Sequence, residues 1–187
     1  DFFIKQLLIR PPFILYSKAN KRVGVYQEVF ENPINKIDFL DTEEYFCFPI
    51  YVGDALAYVY FHIDFMQQGV SLANLFEFAA PAESRYKKPD LVYIYGAKID
   101  GDSVYYHDEE ENIYIGVAPL RSEFDYFGYM KKMLLTLYNV SQIDKGYLPV
   151  HGACVHFTMP NNEEKTIVMI GDSGAGKSES LEALKTY

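Results

Sequence analysis

The sequence predicts a mixed α/β (α+β) fold, with a β-rich N-terminal part followed by the start of a phosphate-loop nucleotide-binding domain. Three observations predict it. Up to about residue 120, aromatic and β-branched runs alternate with glycine-containing and acidic turns, the pattern of short strands. From Ser122 onward the apolar residues recur at helical spacing. Finally, the apolar run KTIVMIG (165–171) leads directly into GDSGAGKS (171–178) and then into an amphipathic segment, KSESLEALKTY (177–187).

Taken in order, RPP (10–12) interrupts whatever precedes it, and FILYS (13–17) and RVGVYQEVF (22–30) read as strands. YFCFPIYVGDALAYVYFHIDF (45–65) holds two apolar runs around Gly53-Asp54, which predicts a hairpin. SLANLFEFA (71–79) reads as a short helix capped by Ser71. A polar stretch at 81–90 precedes three further strands, LVYIYGAKI, SVYYH and NIYIGVA, with Gly101-Asp102 and the acidic run Asp108–Glu111 as turns. Phe124, Phe127, Met130, Leu134 and Leu137 predict a helix over 123–139, with Ser122 and Asp125 spaced as a capping box. LPVHGACVHFTM (148–159) and KTIVMIG then form two strands joined by PNNEE. The expected domains are 1–120 and 121–187. No Gly/Ser/Pro linker separates them, so the N-terminal part should pack on the apolar face of helix 123–139.

Composition excludes several classes. Hydrophobic residues make up 49% of the 187, enough for a packed core. A formal net charge of −9 argues against nucleic acid as the main partner, because phosphate backbones call for Lys/Arg stripes. The acidic run at 108–111 reads as a solvated turn. The two cysteines, Cys47 and Cys154, have neither framework nor metal-ligand spacing, which fits a reducing cytoplasm. No membrane span or signal peptide is legible. The first residue is Asp and the phosphate loop lies close to the last, so the expectation is a piece of a longer polypeptide.

Gly171, Asp172, Ser173, Gly174, Ala175, Gly176, Lys177 and Ser178 match G-x-x-x-x-G-K-[ST] in the required strand–loop–helix context. Glycines allow positive φ, so that several backbone N–H groups can surround phosphate oxygens. The helix start adds unpaired N–H groups and partial positive charge. Lys177 can reach the β- and γ-phosphates, and the Ser178 hydroxyl can ligate Mg²⁺. The pattern points to a nucleoside triphosphate such as ATP and does not specify the reaction.

Upstream, YFGYMKKMLLTLYNV (126–140) carries adjacent Lys131 and Lys132. By helical spacing Lys132 shares a polar stripe with Asp125 and Thr136, as a solvated lysine would. The stretch also resembles ATP-dependent phosphoenolpyruvate carboxykinase. That family's Tyr-x-Gly-x-Met-Lys-Lys segment is matched by Tyr126, Gly128, Met130, Lys131 and Lys132, and its histidine segment, loosely, by VHGACV with His151. Lys132 and His151 are 19 residues apart, about the family's own separation. The resemblance covers about 126–187. Tyr129 stands where the family has Glu, and the spelling GDSGAGKSE, with Gly152 after His151, is similar to HPr kinase/phosphorylase.

The resemblance implies a carboxykinase-like fold that moves the γ-phosphoryl group of ATP. It implies Mn²⁺ on Lys132 and His151 and Mg²⁺ on Ser178, with Lys177, Lys131 and Tyr126 at the reacting end beside oxaloacetate or phosphoenolpyruvate. The acidic metal ligand would lie beyond Tyr187, so the 187-residue chain alone is expected to be inactive. An HPr kinase-like or small-molecule kinase and a non-catalytic ATP-sensing module stay open. His156 reads as a structural strand residue, and His62 and His107 have no partner legible in sequence. Arg85, Lys87 and Lys88 read as a basic turn beside Pro89.

Overall fold

A computed structural model describes residues 26–38, 40–172 and 174–186. The strand expected at 13–17 and the first part of that at 22–30 lie outside the described residues. The elements in chain order are β1 (Gln27–Glu28), β2 (Tyr45–Val52), β3 (Ala55–His62), α1 (Met66–Ser71), β4 (Glu77–Phe78), α2 (Pro81–Ser84), β5 (Leu91–Ala97), β6 (Val104–Asp108), β7 (Ile113–Pro119), α3 (Phe127–Asp144), β8 (Gly152–Thr158), β9 (Glu164–Ile170) and α4 (Lys177–Thr186). The fold is mixed α/β. Two compact units divide between Ser141 and Gln142.

In the first unit, seven strands form one sheet in the order β1-β6-β7-β5-β3-β2-β4. β2 and β3 pair antiparallel around Gly53-Asp54, with Val52 opposite Ala55 and Gly53 at φ +62°, a conformation that glycine takes without steric cost. β3, β5 and β7 run parallel to one another. β5 is buried along nearly its whole length and therefore sits centrally, as strands in parallel surroundings do. β6 pairs antiparallel with β7, so the third strand of the expected trio inserts between the other two.

The core covers one face of this sheet. Met130, Met133, Leu134 and Leu137 of α3, each at 0% exposure, pack with Val59, Tyr93, Tyr95 and Ala118 of the strands. Gly116 on β7 makes room for Met133, whose Cγ would lie 2.9 Å from an added Cβ. The apolar face read for helix 123–139 thus meets the sheet. On the other face Ile94, Ile115 and Val117 gather residues from the segment around Pro33–Lys36.

Two local expectations are corrected. The helix expected at 71–79 begins earlier, at Met66, because the chain leaves β3 through a 3₁₀ turn at Ile63–Phe65. His62 Nδ1 accepts the Asp64 N–H at 3.2 Å and starts that turn. Ser71 closes the helix instead of capping it, its Oγ donating to the Gln67 carbonyl, and Phe78 joins the sheet opposite Ile50. The expected Ser122–Asp125 capping box is also absent. Ser122–Phe124 is a 3₁₀ turn, α3 starts at Phe127, and Asp125 Oδ1 accepts from Gln68 Nε2 at 2.6 Å. A tertiary partner took the carboxylate that a local cap would have used.

The second unit holds an antiparallel pair, β8 with β9, followed by α4. Asn162 at φ +63° turns the connection, and the Met159 N–H donates to the Glu163 carbonyl. No described helix is long and apolar enough to cross a membrane.

Candidate functional site

β9 ends at Ile170, the loop occupies 171–176 and α4 opens at Lys177. This is the strand–loop–helix order that the sequence pattern demands. Gly174 (φ +83°) and Gly176 (φ +80°) adopt conformations that residues with a Cβ avoid. Gly171 serves a different need, since an added Cβ would stand 2.9 Å from that of Ala175. Within the loop the Ala175 N–H donates to the Asp172 carbonyl at 3.2 Å, and the Ser180 N–H donates to the Gly176 carbonyl at 2.9 Å. Ser173 lies outside the described residues.

Lys177 folds back across the loop. Its ammonium donates to the carbonyls of Gly171 (2.5 Å) and Asp172 (2.6 Å). An ammonium has three donors, so this bracing leaves one for an incoming anion. Ser178 is exposed and borders an open cleft of about 470 Å³, lined also by Cys154, Val155, Leu181, Glu182 and Leu184.

His151 lies next to this loop. The β8–β9 ladder pairs Gly152 with Ile170, and one step further the Gly171 N–H donates to the His151 carbonyl at 3.3 Å. The backbone of His151 therefore fixes the first loop residue, while the residue itself is exposed. Five residues on, within β8, His156 Nδ1 lies 2.9 Å from Thr166 Oγ1 on the paired strand β9. Among the described residues no group of three His, Cys, Asp or Glu side chains could hold a metal ion.

Tyr126, Lys131 and Lys132 belong to the first unit. Both lysines are exposed on α3, opposite the buried Met130, Met133, Leu134 and Leu137. Tyr126 precedes the helix and is 37% exposed. Its surroundings were not legible in sequence. Tyr95, on the central strand and at 0% exposure, donates its hydroxyl to the Phe124 carbonyl and lies 3.3 Å from the Tyr126 carbonyl. Burial holds the Tyr95 phenol neutral by raising its pKa well above the ordinary range, so it stays a donor. Gln68 and Tyr95 are 57 and 31 residues from the groups they hold, and no short motif spans such distances.

No protein-family model matches this chain, and no curated protein matches it.

Proposed function

We propose that the chain is part of an ATP-binding phosphoryl-transfer protein resembling ATP-dependent phosphoenolpyruvate carboxykinase. The observation that carries the reading is the loop itself: positive-φ glycines at 174 and 176 between β9 and α4, with Lys177 braced on the carbonyls of Gly171 and Asp172. In this reading the loop N–H groups and Lys177 stabilise negative charge on the transferring phosphoryl group, and Ser178 helps hold Mg²⁺. Tyr126 and Lys131 would lie beside the carboxylate-bearing substrate, oxaloacetate or phosphoenolpyruvate.

Calorimetric titration of MgATP into the chain tests the loop. Binding is expected, and Lys177→Ala should weaken it about ten- to hundredfold, the loss of one or two charge-assisted contacts. Affinity unchanged by that substitution would sink the assignment.

An HPr kinase-like activity is the second reading, favoured by the GDSGAGKSE spelling and by Gly152 after His151. An added Cβ at Gly152 would stand 3.0 Å from the Met169 carbonyl, so the position has a packing reason for glycine as well. Binding of phosphoenolpyruvate or oxaloacetate alongside MgATP supports the first reading, and binding of a seryl protein alongside MgATP supports the second.

A further inference from the structure

Four glycines of the first unit lie where an added Cβ would run into an aromatic ring. Gly53 faces Tyr138, Gly69 faces Phe61, Gly96 faces Phe65 and Gly128 faces Tyr126. Phe61 and Phe65 are 0% and 3% exposed, so their glycines serve core packing. The Tyr138 ring over Gly53 is half-buried and its hydroxyl donates to Asp54 Oδ1 at 3.1 Å, whereas the Tyr126 ring over Gly128 is 37% exposed. A Cβ at 128 would fall 2.9 Å from both Cδ1 and Cζ of Tyr126 and closer still to Cε1. The ring is therefore seated on bare backbone at the first turn of α3, a place where glycine costs helix stability and alanine would be better.

The rest of the seat is built from distant elements. The Tyr129 ring meets that of Tyr126 edge-on at 6.2 Å between centroids. Tyr95 holds the carbonyls on both sides of Asp125, and Gln68 of α1 holds the Asp125 carboxylate at 2.6 Å. A tight turn with the Tyr126 N–H on the Phe124 carbonyl completes it. The Gly128 backbone and the Tyr129 ring hold the partly exposed phenol ring itself, and the other bonds hold the backbone that carries it.

We propose that Gly128 and Tyr95 are positioning residues that hold the Tyr126 phenol ready for a small carboxylate or phosphate anion. Gly128 fixes the ring, and Tyr95 fixes the backbone that carries it. This rests on the reading of Tyr126 as a neighbour of the anionic substrate. Positioning of this kind matters because a misplacement of about 1 Å can cost a hundredfold in a preorganised site.

A double-mutant cycle with phosphoenolpyruvate as the probe tests it, with MgATP as the internal control. Gly128→Ala should fold, since the flexible ring can swing aside and alanine favours the helix. It should weaken phosphoenolpyruvate binding about tenfold and leave MgATP within about twofold. In a Tyr126→Ala background Gly128→Ala should change phosphoenolpyruvate affinity by less than about twofold, because nothing remains to be positioned. Tyr95→Phe should repeat both results. Equal losses in the two backgrounds, or unchanged affinity in Gly128→Ala, overturn the proposal. A ligand-free measurement separates its failure from failure of the substrate reading. The Gly128 Hα proton should be shifted upfield by the ring in NMR spectra and return on Tyr126→Ala. That shift together with no phosphoenolpyruvate binding overturns the substrate reading and supports the seat. Absence of the shift overturns the seat itself.

Discussion

Raising the pH should unfold the first unit steeply, because several of its acids are buried in their neutral form. Tyr45, Cys47, Tyr93 and Tyr95 are each 5% exposed or less. Burial pushes the Tyr45 phenol and the Cys47 thiol up to about 12, and the phenols of Tyr93 and Tyr95 further still. Tyr45 also donates to the Gly96 carbonyl at 2.8 Å and Tyr95 to the Phe124 carbonyl, bonds that need the proton. The folded chain therefore keeps protons that the unfolded chain releases from about pH 9 to 10 upward, and stability falls as pH rises. With ordinary values near 9 and 10 for the unfolded groups, these four cost about 7 kcal/mol by pH ~11, with a slope of about 5–6 kcal/mol per pH unit. Typical domains hold about 5–15 kcal/mol in total, so the midpoint should fall between about pH 10.5 and 12.5. An alkaline titration followed by tyrosinate absorbance and far-UV circular dichroism measures this. The expected result is a cooperative jump in absorbance that coincides with loss of ellipticity. A gradual absorbance rise with ellipticity intact beyond pH ~13 would refute the reasoning.

Two stability predictions follow from packing. Leu137→Ala, at a fully buried position where α3 meets the sheet, should cost about 2–5 kcal/mol in urea unfolding. Gly96→Ala combines a left-handed φ of +88° with a Cβ 2.9 Å from those of His62 and the Phe65 ring, and should cost about 2–4 kcal/mol. Gly101→Ala is its control: φ is +105° but nothing lies within 4 Å, so only the backbone part of the loss, about 1–2 kcal/mol, should remain. Equal losses for the two glycines would show that packing around Gly96 contributes nothing.

Local chemistry made much of this protein legible from its residues. Gly53-Asp54 between two apolar runs determined a hairpin, and the change of period after Ser122 determined a helix whose apolar stripe meets the sheet. The spacing of Gly171, Gly176, Lys177 and Ser178 determined a loop between strand and helix, because positive φ and a helix start are short-range requirements. His151 came close to that loop for an equally local reason, the register of one hairpin.

Other features depended on residues far apart in the chain. β5 lies between β3 and β7, buried with a neighbour on each side, an arrangement that alternation within a single strand cannot express. The start of α3 moved from 123 to Phe127 because Tyr95 and Gln68 claimed the backbone and carboxylate of 124–126 for themselves. Both partners are polar groups carried by elements that pack beside that segment, and a buried polar group must take whichever partner packing supplies. A sequence displays such a group's needs, and only the tertiary structure decides what meets them.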